Sequence, residues 1–303
     1  MATNIALVGI GKIAVDQHVP AINGSDDWHL AATVSRSGTV EGVQAYTDFD
    51  QMLADRADIP VVSLCLPPVP RFDYAQRAIA AGRHVMLEKP PGATLAEVHT
   101  LAELAADAGV SLFATWHSRM AAGVPHAKAW LADKDIKAAH ITWKEDVRRW
   151  HPGQDWVFAP GGMGVFDPGS NALSIMTEIL PMRVHLTKSV LEFPANSDTP
   201  IAAQLTWTGG VTGDFDWRQE GPQSWDITVQ TDAGDLTLHD GGGRLVIDGS
   251  AVDVGPNREY PALYDRMAGL IKTNASDVDL SPMHHVADAL TLGQRVMVDP
   301  FHL

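Results

Sequence analysis

An apolar run that passes directly into a glycine-rich turn is the feature that most constrains the fold of this chain. Residues 4–9, NIALVG, form the run, which is typical of a parallel strand buried on both faces. The residues Gly9-Ile10-Gly11-Lys12-Ile13-Ala14 then match the pattern G-x-G-x-x-A. After a buried strand, the first glycine permits a tight turn, the second lets a pyrophosphate approach the backbone, and the alanine allows close helix–strand packing. The segment therefore predicts a dinucleotide-binding strand–turn–helix unit.

Predicted strands and helices alternate through the first 117 residues. Further strands are expected at 30–35, 61–66, 84–90 and 111–116, with the helical segments FDQMLA, DYAQRAIAAG and LAEVHTLAELAADAG between them. Repeated strand–helix units indicate an open, doubly wound parallel sheet. We therefore expect an α/β Rossmann domain over residues 1–118.

Strand-like segments that alternate apolar and polar residues fill the rest of the chain. The predicted strands lie within 139–146, 184–193, 201–209, 211–217, 225–240 and 244–254, and helices are expected at about 168–180, 257–273 and 283–297. Alternating apolar and polar residues, broken by turn signals such as Gly209-Gly210 and Ala233-Gly234, favour antiparallel pairing. Over residues 119–303 we expect an α+β domain with a large, mainly antiparallel open sheet.

Charge and composition exclude several classes of protein. Lys and Arg number 22 against 37 Asp and Glu, a net charge of −15, so neither nucleic acid nor an anionic membrane is expected as a partner. Apolar runs stay short of the roughly 18 residues of a membrane span, and MATNIALVGIG lacks the pattern of a signal peptide, so we expect a cytoplasmic protein. Cys65 is the single cysteine, which excludes an intrachain disulfide and a cysteine-based metal site. No H-E-x-x-H, G-x-S-x-G or P-loop pattern occurs, so no metal is expected and hydrolase or phosphoryl-transfer chemistry has no support.

The residues after the second predicted strand indicate which dinucleotide is bound. An acidic residue about 20 positions beyond the fingerprint would bind the 2′-hydroxyl of NAD, but Ser35-Arg36 stand there. Arg36 can make charge-assisted hydrogen bonds to a 2′-phosphate, so we expect NADP to be preferred and NAD to be accepted; the alternative for Arg36 is a solvated loop residue. Cofactor contacts are predicted for Gly9, Ile10, Gly11, Lys12, Ile13, Ser35, Arg36, Leu66, Pro67, Glu88, Lys89 and His117.

Two further motifs follow in order. Glu88-Lys89-Pro90 ends a predicted parallel strand, at the sheet edge where open α/β sheets bind ligands, and Asp167-Pro168-Gly169-Ser170-Asn171 opens a predicted helix. With GIGKIA, these motifs resemble the Gfo/Idh/MocA family of glucose–fructose oxidoreductase and inositol dehydrogenase, over essentially the whole chain. Members commonly carry D-x-G-x-H, whereas Asn171 takes the place of the histidine here. This arrangement, together with residues 144–156, is similar to bacterial aldose 1-dehydrogenases that oxidise L-arabinose or D-galactose.

The resemblance implies a reaction and a set of site residues. Oxidising a pyranose at C1 moves a hydride to the nicotinamide and removes the O1 proton, giving an aldonolactone, so the site needs a proton acceptor and a donor beside O1. Lys89 and Asp167 are both candidates for the base, and Asn171 would hold O1 or the ring oxygen. No metal is required. The neutral sugar is expected to be bound by Glu145, Trp150, His151 and Trp156, with Asp146 and Trp217 as weaker candidates.

The sequence alone is also compatible with other functions. The first alternative is an enzyme of the same family that acts on another polyol, an inositol or a dihydrodiol, since fold and cofactor do not set the substrate. A non-catalytic, NADP-sensing regulator is the alternative from another class, although the presence of Lys89 and Asp167 argues against it. Asp167 as a helix N-cap, the tryptophans as core residues and His151 as a structural histidine are the purely structural alternatives. The family resemblance further suggests a homo-oligomer formed through the C-terminal sheet.

Overall fold

The computed structural model describes residues 2–303, which group into two compact units. The first contains the residues up to His117 together with Tyr260–Leu280, and the second contains Ser118–Glu259 with Ser281–Leu303. The boundary expected from sequence divided the chain once, at 118/119. Tyr260–Leu280 joins the first unit because its backbone bonds to the last strand there: Ala114 N–H donates to the Asp277 carbonyl at 2.9 Å, and Asp277 N–H donates to the Leu112 carbonyl at 2.9 Å.

Six parallel strands form the sheet of the first unit within residues 2–117, in the order β3-β2-β1-β4-β5-β6. They are β1 (Thr3–Val8), β2 (Trp28–Val34), β3 (Gln44–Tyr46), β4 (Val61–Leu64), β5 (His84–Leu87) and β6 (Leu112–Ala114). The helices are α1 (Val19–Asn23), which continues a π-helical turn at Ala14–His18, α2 (Phe49–Asp55), α3 (Pro68–Ala80) and α4 (Leu95–Ala108). The predicted doubly wound parallel sheet is confirmed, and the three-residue β3 was not predicted.

Local signals explain where these elements begin and end. β1 is apolar and fully buried at its centre, where Ile5 and Leu7 have no exposed surface. α4 opens with a capping box between Thr94 and Glu97 and ends at Gly109, whose φ of 66° is left-handed, a conformation that glycine adopts without steric cost. The sequence therefore sets the ends of β1 and α4 locally.

Nine strands form the sheet of the second unit within residues 118–303, in the order β14-β13-β12-β11-β7-β10-β9-β8-β15. They are β7 (Ile136–Lys144), β8 (Leu186–Pro194), β9 (Ala202–Trp207), β10 (Val211–Asp216), β11 (Ser224–Thr231), β12 (Gly234–His239), β13 (Arg244–Ile247), β14 (Ser250–Val252) and β15 (Gln294–Val298). The helices that follow α4 in the chain are α5 (Gly123–Leu131), α6 (Val147–Trp150), α7 (Phe166–Ile179), α8 (Glu259–Thr273) and α9 (Ser281–Leu292). Most pairs are antiparallel, as predicted, but β7–β10 and β8–β15 are parallel.

The predicted helix over 283–297 is wrong at its end. α9 stops at Leu292, and β15 pairs with β8 from Gln294 onward. A side chain at Gly293 would place its Cβ 2.6 Å from Leu191 Cδ1 and 2.8 Å from the Ala289 carbonyl oxygen, so the chain leaves the helix where it meets β8.

The core of the second unit lies between one face of its sheet and helices α5, α7 and α9. α7 approaches β10 so closely that a Cβ at Gly169 would lie 3.0 Å from Phe215 Cδ1. This contact fixes the first turn of α7, which carries Asp167. No helix within residues 2–303 is long and apolar enough to cross a membrane.

Candidate active site

The glycine turn after β1 has the shape that its sequence predicts. Gly9 has φ 90°, and a Cβ there would lie 2.9 Å from the backbone nitrogen of Leu66. A Cβ on Gly11 would meet nothing within 4 Å among residues 2–303 apart from its chain neighbours. Ala14 is fully buried against the sheet. The turn is therefore closed on its strand side at Gly9 and open at Gly11, which fits a pyrophosphate approaching the backbone.

The loop after β2 packs against this turn. A Cβ on Gly38 would lie 2.3 Å from the Ile10 carbonyl oxygen, and Gly38 N–H donates to Ser35 Oγ at 3.1 Å. Arg36 is exposed and makes no ion pair or hydrogen bond with another of residues 2–303. Lys12, by contrast, pairs with Asp16 one turn along. The guanidinium of Arg36 is therefore available to an anionic ligand.

Lys89 follows β5 in a tightly held segment, and the Lys89-Pro90 bond is cis. Glu88 beside it is buried, and its Oε1 accepts a hydrogen bond from the Tyr260 hydroxyl at 2.8 Å. Its Oε2 accepts from the backbone N–H of Lys89. His18 is the third neighbour of this carboxylate, since its Nε2 lies 3.4 Å from Glu88 Oε1. The carboxylate thus links the start of α8 and the fingerprint helix to the backbone of Lys89.

Glu88 and His18 form a buried pair whose pKa values are shifted in opposite directions. Burial raises the pKa of the Glu88 carboxyl, but the close approach and charge of His18, helped by His117 and Lys89, outweigh burial and lower the pKa to about 2. Burial likewise lowers the pKa of His18, but Cys65, Tyr264 and Glu88 raise it well above 6.5. A buried charge persists only where it is paired, and each of these groups supplies the partner of the other.

His117 lies at the end of the first unit, just beyond β6. Its ring stacks on Tyr260, with centroids 5.3 Å apart and an interplanar angle of 20°. Tyr260 and His18 were not predicted as site residues. The sequence carries no signal for Tyr260, since it lies 172 positions from the carboxylate that it bonds.

In the second unit, the structure brings Asp167 and His151 together. His151 Nε2 lies 3.2 Å from Asp167 Oδ2, and His151 Nδ1 makes a hydrogen bond of 3.2 Å with Gln154 Oε1. Asp167 is in the first turn of α7 and 3% exposed. The N-cap of α7 is Val165, so the interpretation of Asp167 as the cap is wrong. A buried carboxylate against an imidazole is an arrangement that can take up a proton.

Asn171 lies one turn after Asp167 in α7. Its Oδ1 is buried and has no hydrogen-bond partner among residues 2–303. Leaving a buried amide oxygen unsatisfied costs about 1–3 kcal/mol. A ligand that supplies an O–H donor would remove this cost.

Four indoles and a carboxylate form one series of contacts within the second unit, which reaches His151 through the Trp217 ring at 5.2 Å between centroids. Glu145 Oε1 accepts from Trp217 Nε1 at 3.1 Å, and Glu145 Oε2 accepts from Trp225 Nε1 at 2.9 Å. The Trp150 and Trp156 rings lie 5.6 Å from Trp225 and 6.3 Å from His151 respectively, between centroids. Glu145 therefore fixes the orientation of two indoles.

The two weaker candidates for sugar binding, Asp146 and Trp217, also lie in this region. Asp146 caps α6 by accepting from Arg148 N–H at 2.9 Å, whereas its neighbour Glu145 is buried. Trp217 is fully buried. Trp225 was not predicted, although its place on β11 directly opposite Trp143 is an aromatic cross-strand signal that could have identified it.

Comparison with known proteins identifies one matching family and several relatives that are dehydrogenases. Residues 3–115 match the Gfo/Idh/MocA model, an oxidoreductase family with an NAD-binding Rossmann fold. Galactose 1-dehydrogenase from Pseudomonas fluorescens is 39% identical over 303 residues, 98% of each chain. D-xylose 1-dehydrogenase (NADP(+)) 2 from Haloferax volcanii is 26% identical over 243 residues, 76% of this chain and 74% of that one.

A solved structure matches over the full length. The crystal structure of D-galactose-1-dehydrogenase from Rhizobium etli has 54% sequence identity and a TM-score of 0.95, covering 99% of this chain and 98% of that chain. The resemblance drawn from the three sequence motifs is thereby confirmed. This chain is an oxidoreductase of the Gfo/Idh/MocA family.

Proposed function

We propose that this oxidoreductase is an aldose 1-dehydrogenase that oxidises the C1 hydroxyl of D-galactose, L-arabinose or a similar pyranose to the aldonolactone. The observation that carries the proposal is the contact of buried Asp167 with partly exposed His151, with the amide oxygen of Asn171, unsatisfied among residues 2–303, one helical turn away. Its support from outside the structure is the full-length similarity to two galactose 1-dehydrogenases.

Asp167 and His151 form the proton acceptor in this proposal. Oxidation at C1 requires that the O1 proton leave as the C–H bond breaks, and a carboxylate or a neutral imidazole can accept it. Their contact at 3.2 Å lets a proton taken by one group be shared with the other. Gln154 bonds to the second ring nitrogen of His151 and fixes the orientation of its ring. This arrangement favours Asp167 over Lys89 as the base.

Lys89 then has the complementary role. Its ammonium carries three N–H donors and no acceptor, so it can stabilise negative charge that develops on O1. The amide oxygen of Asn171 accepts a hydrogen bond from a sugar hydroxyl, which satisfies a buried atom that has no partner among residues 2–303. Trp150, Trp156 and Trp225 offer apolar ring faces to the pyranose, and Glu145 orients Trp225.

The residues of the first unit fit a dinucleotide, and we propose NADP as the preferred one, with NAD accepted. The open space at Gly11 and the guanidinium of Arg36, which has no partner in the described part of the chain, support this choice. A bound nicotinamide supplies the acceptor for the hydride that leaves sugar C1. The residues proposed to hold the dinucleotide are Gly9, Ile10, Gly11, Lys12 and Ile13 at the pyrophosphate, Ser35 and Arg36 at the 2′-phosphate, and Leu66, Pro67, Glu88, Lys89 and His117 along the remainder.

The test is an absorbance assay at 340 nm with NADP and with NAD on D-galactose, L-arabinose, D-glucose, D-xylose and myo-inositol. D-glucose differs from D-galactose only at C4, so it is the matched control for recognition of the ring. We expect the highest kcat/KM with galactose and arabinose, and a higher value with NADP than with NAD. Turnover of inositol alone, or tight binding of NADP without turnover of any sugar, would refute the proposal.

A further inference from the structure

The peptide unit that joins Glu88 to Lys89 is held at both of its poles. Its N–H donates to Glu88 Oε2, as described above, and its carbonyl oxygen accepts from Nη1 of Arg71. The guanidinium of Arg71 is 2% exposed, and it donates also to the carbonyl oxygens of Pro90 and Leu66. A buried anion on the amide and a buried cation on the carbonyls leave this backbone little freedom.

His18 links Glu88 to the fingerprint helix and to α8. Its Nδ1 makes a hydrogen bond of 2.7 Å with the Tyr264 hydroxyl, and its ring meets Tyr260 edge-on, with centroids 4.9 Å apart. His18 and Tyr264 have no exposed surface. The titratable groups that face Glu88 and His18 are thus Cys65, Lys89, His117, Tyr260 and Tyr264. None of His18, Arg71 and Tyr264 has a role in the proposed reaction.

We propose that His18, Arg71, Glu88 and Tyr260 form a clamp that holds the backbone around Lys89 and so positions its ammonium for the reaction. These four are positioning residues, because they act through Lys89. The inference rests on the proposed function for its kinetic consequence, while the state of the clamp can be measured without turnover.

The charge of the clamp gives it a pH signature. While His18 is protonated, Glu88 remains a carboxylate far into the acid range, because its pKa is lowered to about 2. In His18→Gln the main lowering influence is lost, while the burial that raises the pKa remains. Glu88 then takes up a proton at higher pH, and the protonated oxygen becomes a weaker acceptor, which weakens its hydrogen bond with either the Tyr260 hydroxyl or the Lys89 N–H.

The first experiment measures the clamp in the enzyme without cofactor or sugar. Pro90 and Pro91 carry no N–H, so the Lys89 amide is the single exchangeable backbone proton of residues 89–91. Hydrogen exchange followed by mass spectrometry should show it protected in the wild type and exchanging at least about 10-fold faster in Glu88→Gln. His285→Gln is the control, because it removes a buried histidine of the second unit that bonds Trp207 Nε1 at 3.2 Å. An unprotected Lys89 amide in the wild type would overturn the clamp.

The second experiment measures its kinetic effect with galactose and NADP. Misplacing a reacting group by about 1 Å costs about 100-fold in rate, so we expect kcat to fall about 10- to 100-fold in Glu88→Gln. Tyr260→Phe removes a single hydroxyl and should lower kcat about 3- to 10-fold. In Tyr260→Phe, at a residue outside the proposed dinucleotide contacts, the dissociation constant of NADPH, measured by its fluorescence, should stay within about 3-fold. In His18→Gln the acid limb of the kcat profile should move up by at least about one pH unit.

A double variant separates positioning from a general structural role. If Glu88 acts through Lys89, then adding Glu88→Gln to Lys89→Ala should change the residual kcat by less than about 2-fold. Equal losses in both backgrounds, or parallel losses of activity in all variants and in His285→Gln, would refute the positioning role. A wild type inactive on every sugar would refute the proposed function, while the amide exchange would still test the clamp.

Discussion

Replacing Arg36 with alanine tests the assignment of the cofactor most directly. Arg36 is exposed and has no ion-pair or hydrogen-bond partner among residues 2–303. Its removal therefore leaves no other charge unpaired and no buried group unsatisfied. Any loss in the variant therefore reports contacts with the ligand alone. A hydrogen bond to a charged group contributes about 1.5–3 kcal/mol, and about 1.4 kcal/mol corresponds to a tenfold change.

The expected result is a selective loss with NADP. In Arg36→Ala, kcat/KM with NADP should fall about 10- to 150-fold, while kcat/KM with NAD changes by less than about 2-fold, because NAD lacks the 2′-phosphate. Arg183→Ala removes the same charge from an exposed position of the second unit and should leave both values unchanged. Because exposed charges are screened by salt, the loss should shrink between 50 and 300 mM NaCl. An unchanged NADP/NAD ratio would refute the role of Arg36.

Three further outcomes follow from the site. Asp167→Asn should lower kcat with galactose about 100- to 10,000-fold, the usual contribution of general base catalysis, with NADPH affinity unchanged; retention of near-normal turnover would exclude Asp167 as the base. Trp225→Phe keeps a ring but removes the N–H that donates a hydrogen bond to Glu145 Oε2. The variant should therefore have a higher KM for galactose and a free energy of unfolding lower by about 1–2 kcal/mol. Trp130→Phe, at an indole that packs against Lys134, is the control and should change neither quantity. The pKa of Glu88 is lowered from 4.5 to about 2 in the folded chain, so its contribution to stability is present above pH 4.5 and is lost as the pH falls towards 2. The difference in Tm between the wild type and Glu88→Gln should therefore shrink over this range, and a constant difference would contradict the lowered pKa.

Motifs contained within one turn or loop could be predicted from the sequence. The fingerprint after β1, the Lys89 segment and the Asp167 helix are local, because each depends on neighbouring residues and on a buried strand or an apolar helix face. Gly9 shows why: its positive φ and its close contact with Leu66 are demands that only glycine meets.

Features that depend on distant contacts could not be predicted. Gly293 follows the last residue of α9 at a point where a Cβ would lie 2.6 Å from Leu191 Cδ1 of β8, and no helix-ending signal other than the glycine itself precedes β15. His18 follows the fingerprint like any helical residue, and only the folded chain brings it to Glu88. The three residues of β3 have too little apolar surface to give a strand pattern. Packing between distant segments, rather than local preference, decides all three.

The membership of Tyr260–Leu280 in the first unit also has a consequence for how the protein is made. A chain grows at about 5–20 residues per second, so the 172 positions between Glu88 and Tyr260 take about 10–35 s to synthesise. During that interval the Rossmann sheet can form on the ribosome while Glu88 still lacks the tyrosine that bonds it. The nascent chain is thus a Rossmann fold without its finished Lys89 segment until Tyr260 has been translated.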